Sequence, residues 1–186
     1  MMDYDEASET ATFLVHLAQP DGVKFDKRKI TFSVSCFLSG KQTVEGLLPL
    51  DLRQAELNPQ TQTDVDMCGA TDRDYDTFLV PNELLVPAEN VCITAMGFIG
   101  DKLHVQAHFM NLLTTDSHGE IYLCNGANER MDASAELFFY DADQTGHYKE
   151  FIFDVSPDAL EGYRIYGWFE SSEGCYTGDW EVTFKL

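Results

Sequence analysis

Few side chains in this 186-residue chain have types and spacings that could do chemistry. The run DADQTG (141–146) sets Asp141, Asp143 and Thr145 at alternate positions before Gly146, as the opening of a calcium loop does. Such a loop needs a bidentate acid at its twelfth position, and Ile152 stands there. The flanking runs FFYD and FIFD make the stretch read instead as a β-hairpin with a polar turn. Asp64, Asp66, Asp72, Asp74 and Asp76 could gather oxygen ligands for a hard cation, or could simply line a solvated loop. His104 and His108 alternate with Leu103, Val105, Ala107 and Phe109, which is strand periodicity. At about 3.3 Å per residue the two histidines lie roughly 13 Å apart, too far for one metal ion. They are therefore expected to be exposed, and His118 to lie in a turn. No GxSxG elbow and no CxxC pair occurs, so no nucleophile, zinc site or cofactor is assigned.

Arg164, Tyr166 and Trp168 stand apart from these. Tyr163, Ile165, Gly167 and Phe169 have one phase and Arg164, Tyr166, Trp168 and Glu170 the other. If the first set faces the core, the second set faces outward. Exposed aromatics on a sheet can stack on a sugar ring or seat a peptide. Equally, that face can pack on another part of the protein. These three residues are the candidate ligand-binding set.

The totals set the frame. The formal net charge is −20, from 32 acidic and 12 basic residues, which disfavours nucleic acid and anionic membrane as partners. Acidity of this kind keeps an exposed protein soluble, and is compatible with cations, basic peptides or neutral sugars. Hydrophobic residues make up 44% of the chain, enough to build a core. No run of about eighteen apolar residues is present, and the opening MMDYDEASETATF lacks the basic and apolar regions of a signal peptide. A protein of this kind working outside the cytoplasm would be a fragment of a longer one. Five cysteines leave at least one thiol unpaired or bonded between molecules. Cys36 is in phase with Ile30, Phe32 and Val34, which predicts a buried thiol.

The elements that must position these residues are mostly strands. Strands are expected at 12–17, 29–38, 43–48, 77–80, 90–99, 102–110, 120–124, 133–141, 147–155, 163–169 and 179–186, with Gly100-Asp101 as a hairpin turn. In the last strand Trp180, Val182, Phe184 and Leu186 alternate with polar residues, so Trp180 reads as structural. A short helix is expected over 50–57, stopped by Asn58-Pro59, and a helical turn at 156–163 with Ser156 as its cap. Residues 58–76, polar and acidic, read as a long loop or a weak strand and as the seam between two halves. Strands this numerous, with turns every eight to twelve residues, predict an all-β, immunoglobulin-like sandwich, with two β subdomains as a variant. The expected division is an N-terminal β segment over 1–76 and the sandwich proper over 77–186.

Three segments together carry a family resemblance: MGFIGDKLHVQ (96–106), KEFIFDVSPDALEGYRIYGWFESSEG (149–174) and GDWEVTFKL (178–186). Their order and spacing resemble the C-terminal ectodomain of anti-sigma-factor-like membrane proteins of Gram-positive bacteria, a domain of unknown function. The resemblance is closest over residues 90–186. It implies a non-catalytic, extracytoplasmic sensory or interaction domain, anchored to the membrane only through a tether that this chain lacks. Its partner would be an extracellular ligand or protein, and no cofactor is implied. The alternative expectation is a secreted carbohydrate-binding or adhesive surface module.

Overall fold

The structure, a computed structural model, describes residues 2–5, 10–13, 30–70 and 75–184. The chain forms two compact units, Met1–Ser35 with Asp179–Leu186, and Cys36–Gly178. In the first, β1 (Met2–Asp5) pairs antiparallel with β2 (Thr10–Phe13). There too Thr31 and Thr183 share a hydrogen bond of 2.8 Å, and the rings of Phe32 and Phe184 meet edge-on at 5.7 Å.

The larger unit is an all-β sandwich. The strands that follow are β3 (Ile30–Leu47), β4 (Thr61–Gln62), β5 (Met67–Ala70), β6 (Phe78–Leu79), β7 (Leu85–Ala88), β8 (Val91–Ile99) and β9 (Lys102–Phe109). After one helical turn at Leu112–Thr115 come β10 (His118–Cys124), β11 (Arg130–Asp132), β12 (Ala135–Tyr140), β13 (His147–Phe153) and β14 (Arg164–Phe184). One sheet has six strands in the order β5-β12-β13-β9-β8-β7, and the other four in the order β11-β10-β14-β3. β8 and β9 turn over at Gly100, whose φ of 67° is open to glycine at no steric cost.

Between the sheets lies the main core. Val91, Ile93, Leu103, Val105, Phe109, Phe151 and Phe153 from the larger sheet meet Ile121, Leu123, Ile165 and Phe169 from the smaller. Alternation places these residues on one face, and burying each large apolar side chain contributes about 1.5–3 kcal/mol. Phe169 needs room, which two glycines supply. A Cβ on Gly119 would stand 2.4 Å from the Trp168 carbonyl oxygen and 2.6 Å from the Phe169 ring, and one on Gly167 2.4 Å from that ring. Gly119→Ala is therefore expected to cost about 1–3 kcal/mol in a urea titration. An unchanged midpoint would mean that β10 and β14 can part without loss.

The outer face of the six-stranded sheet is covered as well. Phe78, Ala135, Leu137, Phe139 and Ile152 form a second core, with Val65, Tyr75 and Tyr148 packed against it. The cover comes from Val65, Tyr75 and Phe78, with β4 and β6 paired antiparallel beside them, so the stretch expected to be a loop or a weak strand holds short strands and part of a core. Beneath β6 sits a closed polar network. Glu150 accepts from His104 Nδ1 at 2.6 Å, Gln106 Nε2 at 3.0 Å and the Leu79 N–H at 3.1 Å. Gln106 also donates to the Leu79 carbonyl at 2.8 Å and accepts from the Thr94 hydroxyl at 2.7 Å.

Several expectations are corrected here. His104 is buried and His108 half-buried, because Tyr75 packs against the first and Tyr148 and Asp141 against the second, rather than water. Cys36 is no buried thiol. It forms a disulfide with Cys175, while Cys68, Cys92 and Cys124 are free. Trp180, Val182 and Phe184 share a face as predicted, yet they are 42%, 51% and 48% exposed. Periodicity says which residues share a face, not what covers it. The helix over 50–57 shrinks to a 3-10 turn at Leu52–Gln54, capped by Asp51, which accepts from the Arg53 N–H. The turn at Pro157–Ala159 forms without a side-chain cap from Ser156. His118 opens β10 instead of lying in a turn. Most of the strand expected at 12–17 lies outside the described residues, as do Asp72 and Asp74.

Candidate ligand-binding site

The start of β14 brings Arg164, Tyr166 and Trp168 onto the outer face of the four-stranded sheet, since Ile165, Gly167 and Phe169 turn into the core. Register with β10 then sets Arg164 opposite Cys124, Tyr166 opposite Tyr122, Trp168 opposite Glu120 and Glu170 opposite His118. Arg164 is exposed, and Tyr166 and Trp168 are half-buried.

The aromatic rings are arranged in a row. Tyr122 and Tyr166 stack with centroids 5.6 Å apart and planes 12° from parallel. The guanidinium of Arg130, on β11, lies 4.0 Å from the Tyr122 ring centroid on the same sheet. Arg130 also holds Glu120 at 2.9 Å and Asp132 at 2.5 Å, and both bonds raise its pKa, Asp132 most. Trp168 meets the His118 ring edge-on at 5.7 Å. Glu170 binds Lys41 at 2.5 Å. Burial, and then the nearby Glu45, push the Tyr122 phenol up, so it stays protonated and donates to Glu45.

Tyr166 and Arg164 also line a cleft of about 1260 Å³ at the end of the sandwich. Its apolar wall is made by Leu48, Leu52, Ala55, Phe98 and Leu160, all buried, with Leu47 and Leu57 exposed at 52% and 63%. Its charged residues are Asp51, Arg53, Asp158, Glu161 and Arg164. Arg53 closes on Asp51 with bonds of 2.7 to 3.2 Å, which hold the Asp51 carboxyl below its usual range. Trp168 is not part of the cleft wall. Sequence reasoning found the residues of β14 but missed Tyr122, Arg130 and the cleft, because register between distant strands carries no local signal.

Other groupings have less to offer a ligand. Cys92 and His108 are cross-strand neighbours, and His108 Nε2 lies 3.0 Å from Asp141 Oδ2. That resembles a thiol-imidazole-carboxylate chain. Burial pushes the Cys92 thiol up, however, and it donates to the Ile93 carbonyl at 3.5 Å. A protonated, buried thiol is a poor nucleophile. In the 141–146 turn Asp143 is taken by the Thr145 N–H and hydroxyl at 3.1 and 2.8 Å, and Asp141 by His108. Among the described residues no group of three acidic, histidine or cysteine side chains could hold a metal ion.

His147 supplies a pH handle. Burial first, then the charges of Lys149 and His108, push its pKa below the ordinary value, so the fold favours its neutral form. The unfolded chain then binds the proton more readily. Stability is full above about pH 6.5 and falls as pH drops toward the folded value. Thermal melts between pH 7 and 5 are expected to show this slope, and His147→Gln to flatten it.

No family model, curated protein or solved structure matches this chain.

Proposed function

We propose that this chain is a non-catalytic extracytoplasmic binding domain of a membrane-tethered, anti-sigma-factor-like regulator. Its recognition surface is the outer face of β10 and β14 with the adjoining cleft. The observation that carries the binding reading is the placement of Tyr166 and Trp168. They belong to neither core, and they lie in a row of aromatics beside the cleft of about 1260 Å³. Half-buried aromatics on a sheet face combine large contact area with little entropy to lose, which suits recognition.

The extracytoplasmic setting is supported by the Cys36–Cys175 disulfide, a bond that persists in oxidising compartments. The resemblance of residues 96–106, 149–174 and 178–186 to the ectodomain family supports the tethered, regulatory setting and an immunoglobulin-like arrangement of the sandwich. Ligand binding outside would then be passed inward through the tether. Impermeant biotinylation of intact cells carrying the full-length protein tests this setting. Labelling of the domain before lysis is expected, and labelling only after lysis would overturn it.

A second reading, a secreted carbohydrate-binding or adhesive module, is favoured by one feature of the same face. Its charges are largely paired among themselves, Arg130 with Glu120 and Asp132 and Lys41 with Glu170. Paired polar groups around an aromatic suit a neutral sugar.

A further inference from the structure

The cleft beside Tyr166 has a charge pattern that the general binding role leaves unused. We infer that it takes an extended peptide segment carrying a basic side chain next to an apolar one. The inference rests on the binding reading above and narrows it to one ligand chemistry.

Three observations lead there. First, the cleft wall is apolar at Leu48, Leu52, Phe98 and Leu160, and leucines 47 and 57 stand exposed beside it, so an apolar side chain has somewhere to go. Removing such a side chain from water favours binding.

Second, the charges left open are mainly negative. Arg53 is spent on Asp51. Asp158 and Glu161, both exposed, have no partner among the described residues, against the single guanidinium of Arg164. Around them the chain carries a net −20, whose field draws cations toward the surface and holds anions off. An unpaired Arg164 alone could have suggested a carboxylate ligand, but two open carboxylates and the field of the whole molecule oppose it.

Third, the protein already seats a cation on this aromatic row. Arg130 lies over Tyr122, Tyr122 stacks on Tyr166, and Tyr166 lines the cleft. A guanidinium or ammonium from a ligand would find in Tyr166 the same kind of ring as the one that holds Arg130. A peptide is the natural carrier of a cation beside an apolar group. An open cleft of about 1260 Å³ is larger than the 300–1,000 Å³ or so that encloses a small molecule.

The test is selection of a random octapeptide display library on the intact 186-residue chain, followed by calorimetry of the recovered peptides. Two double variants separate the cleft from the overall charge. Asp158→Asn with Glu161→Gln removes two charges at the cleft. Glu83→Gln with Glu89→Gln removes two exposed charges that do not line it.

Enrichment of sequences pairing Lys or Arg with Leu or Phe is expected. Their affinity should fall about tenfold or more in the cleft variant and less than twofold in the other. Arg164→Gln should tighten binding, and added peptide should protect Cys124, which lines the cleft, from alkylation. Acidic or uncharged winners that protect Cys124, or an Arg164→Gln variant that loses binding, would overturn the basic-peptide assignment and leave the binding role standing. Equal losses in the two double variants would show plain charge attraction and overturn the cleft as the site. No enrichment, with Cys124 unprotected also by a panel of neutral oligosaccharides, would overturn both the inference and the binding reading of the cleft.

Discussion

Replacing Glu150 by alanine is expected to lower the unfolding free energy by about 3–5 kcal/mol, the usual loss when one member of a buried, hydrogen-bonded pair is removed. Glu150 and Gln106 have no exposed surface and His104 has 1%. The carboxylate is the common acceptor for His104, Gln106 and the Leu79 N–H, so its loss strands three donors away from water at once. Glu150→Gln keeps the shape and one acceptor oxygen, and should cost less. Two measurements read the effect: the urea midpoint, and hydrogen exchange at the Leu79 amide, which should quicken before the rest of the sheet as the cover around Phe78 loosens. A cost below about 1 kcal/mol would mean that the network is dispensable and that apolar packing of Phe78 alone holds the cover.

The second large effect is expected on cutting the disulfide. Cys36 and Cys175 are 139 positions apart, so their bond closes most of the chain into one loop. The chain-entropy relation gives about 5 kcal/mol for a loop of that length, and measured values run about 2–5 kcal/mol. The double variant Cys36→Ser, Cys175→Ser should therefore unfold at a clearly lower denaturant concentration, and reduction of the native chain should do the same. Alkylation of the folded chain before reduction should tag Cys68 first, because it is exposed, and Cys124 more slowly, with buried Cys92 reacting only on unfolding. Equal midpoints with and without reductant would contradict the bond's role in stability.

How much of this could be read from the chain follows from what alternation encodes. The all-β character, the Gly100 turn and the two-faced pattern of 163–170 are local properties, and the structure has each of them. What went unread depends on partners distant in sequence. His104 and Gln106 look like the wet side of a strand until Glu150 and the Leu79 backbone, brought from other parts of the chain, satisfy them in a dry layer. A hint was present in KEFIF, where Glu150 leads directly into the apolar run Phe151-Ile152-Phe153 of a strand with both faces covered. Cys36 gave the phase of a core residue, but its neighbour across the sheet is Cys175, and pairing among five cysteines leaves no trace in spacing alone. For the candidate site, the outward phase of Arg164, Tyr166 and Trp168 was legible, whereas Tyr122, Arg130 and the cleft walls come from segments that only the fold brings together.

The most direct test of the central claim, that the outer face of β10 and β14 recognises a ligand, uses its tryptophan. The chain has two tryptophans, so Trp180→Phe leaves Trp168 as the sole reporter. Titration of that variant with the octapeptides recovered on the native chain and with neutral oligosaccharides should give a saturable shift in emission. Tyr166→Ala should abolish the shift while moving the melting temperature little, because Tyr166 lies outside both cores. An emission that no ligand moves, together with a Tyr166→Ala variant that melts many degrees lower, would contradict the account and make the aromatic row a part of the scaffold.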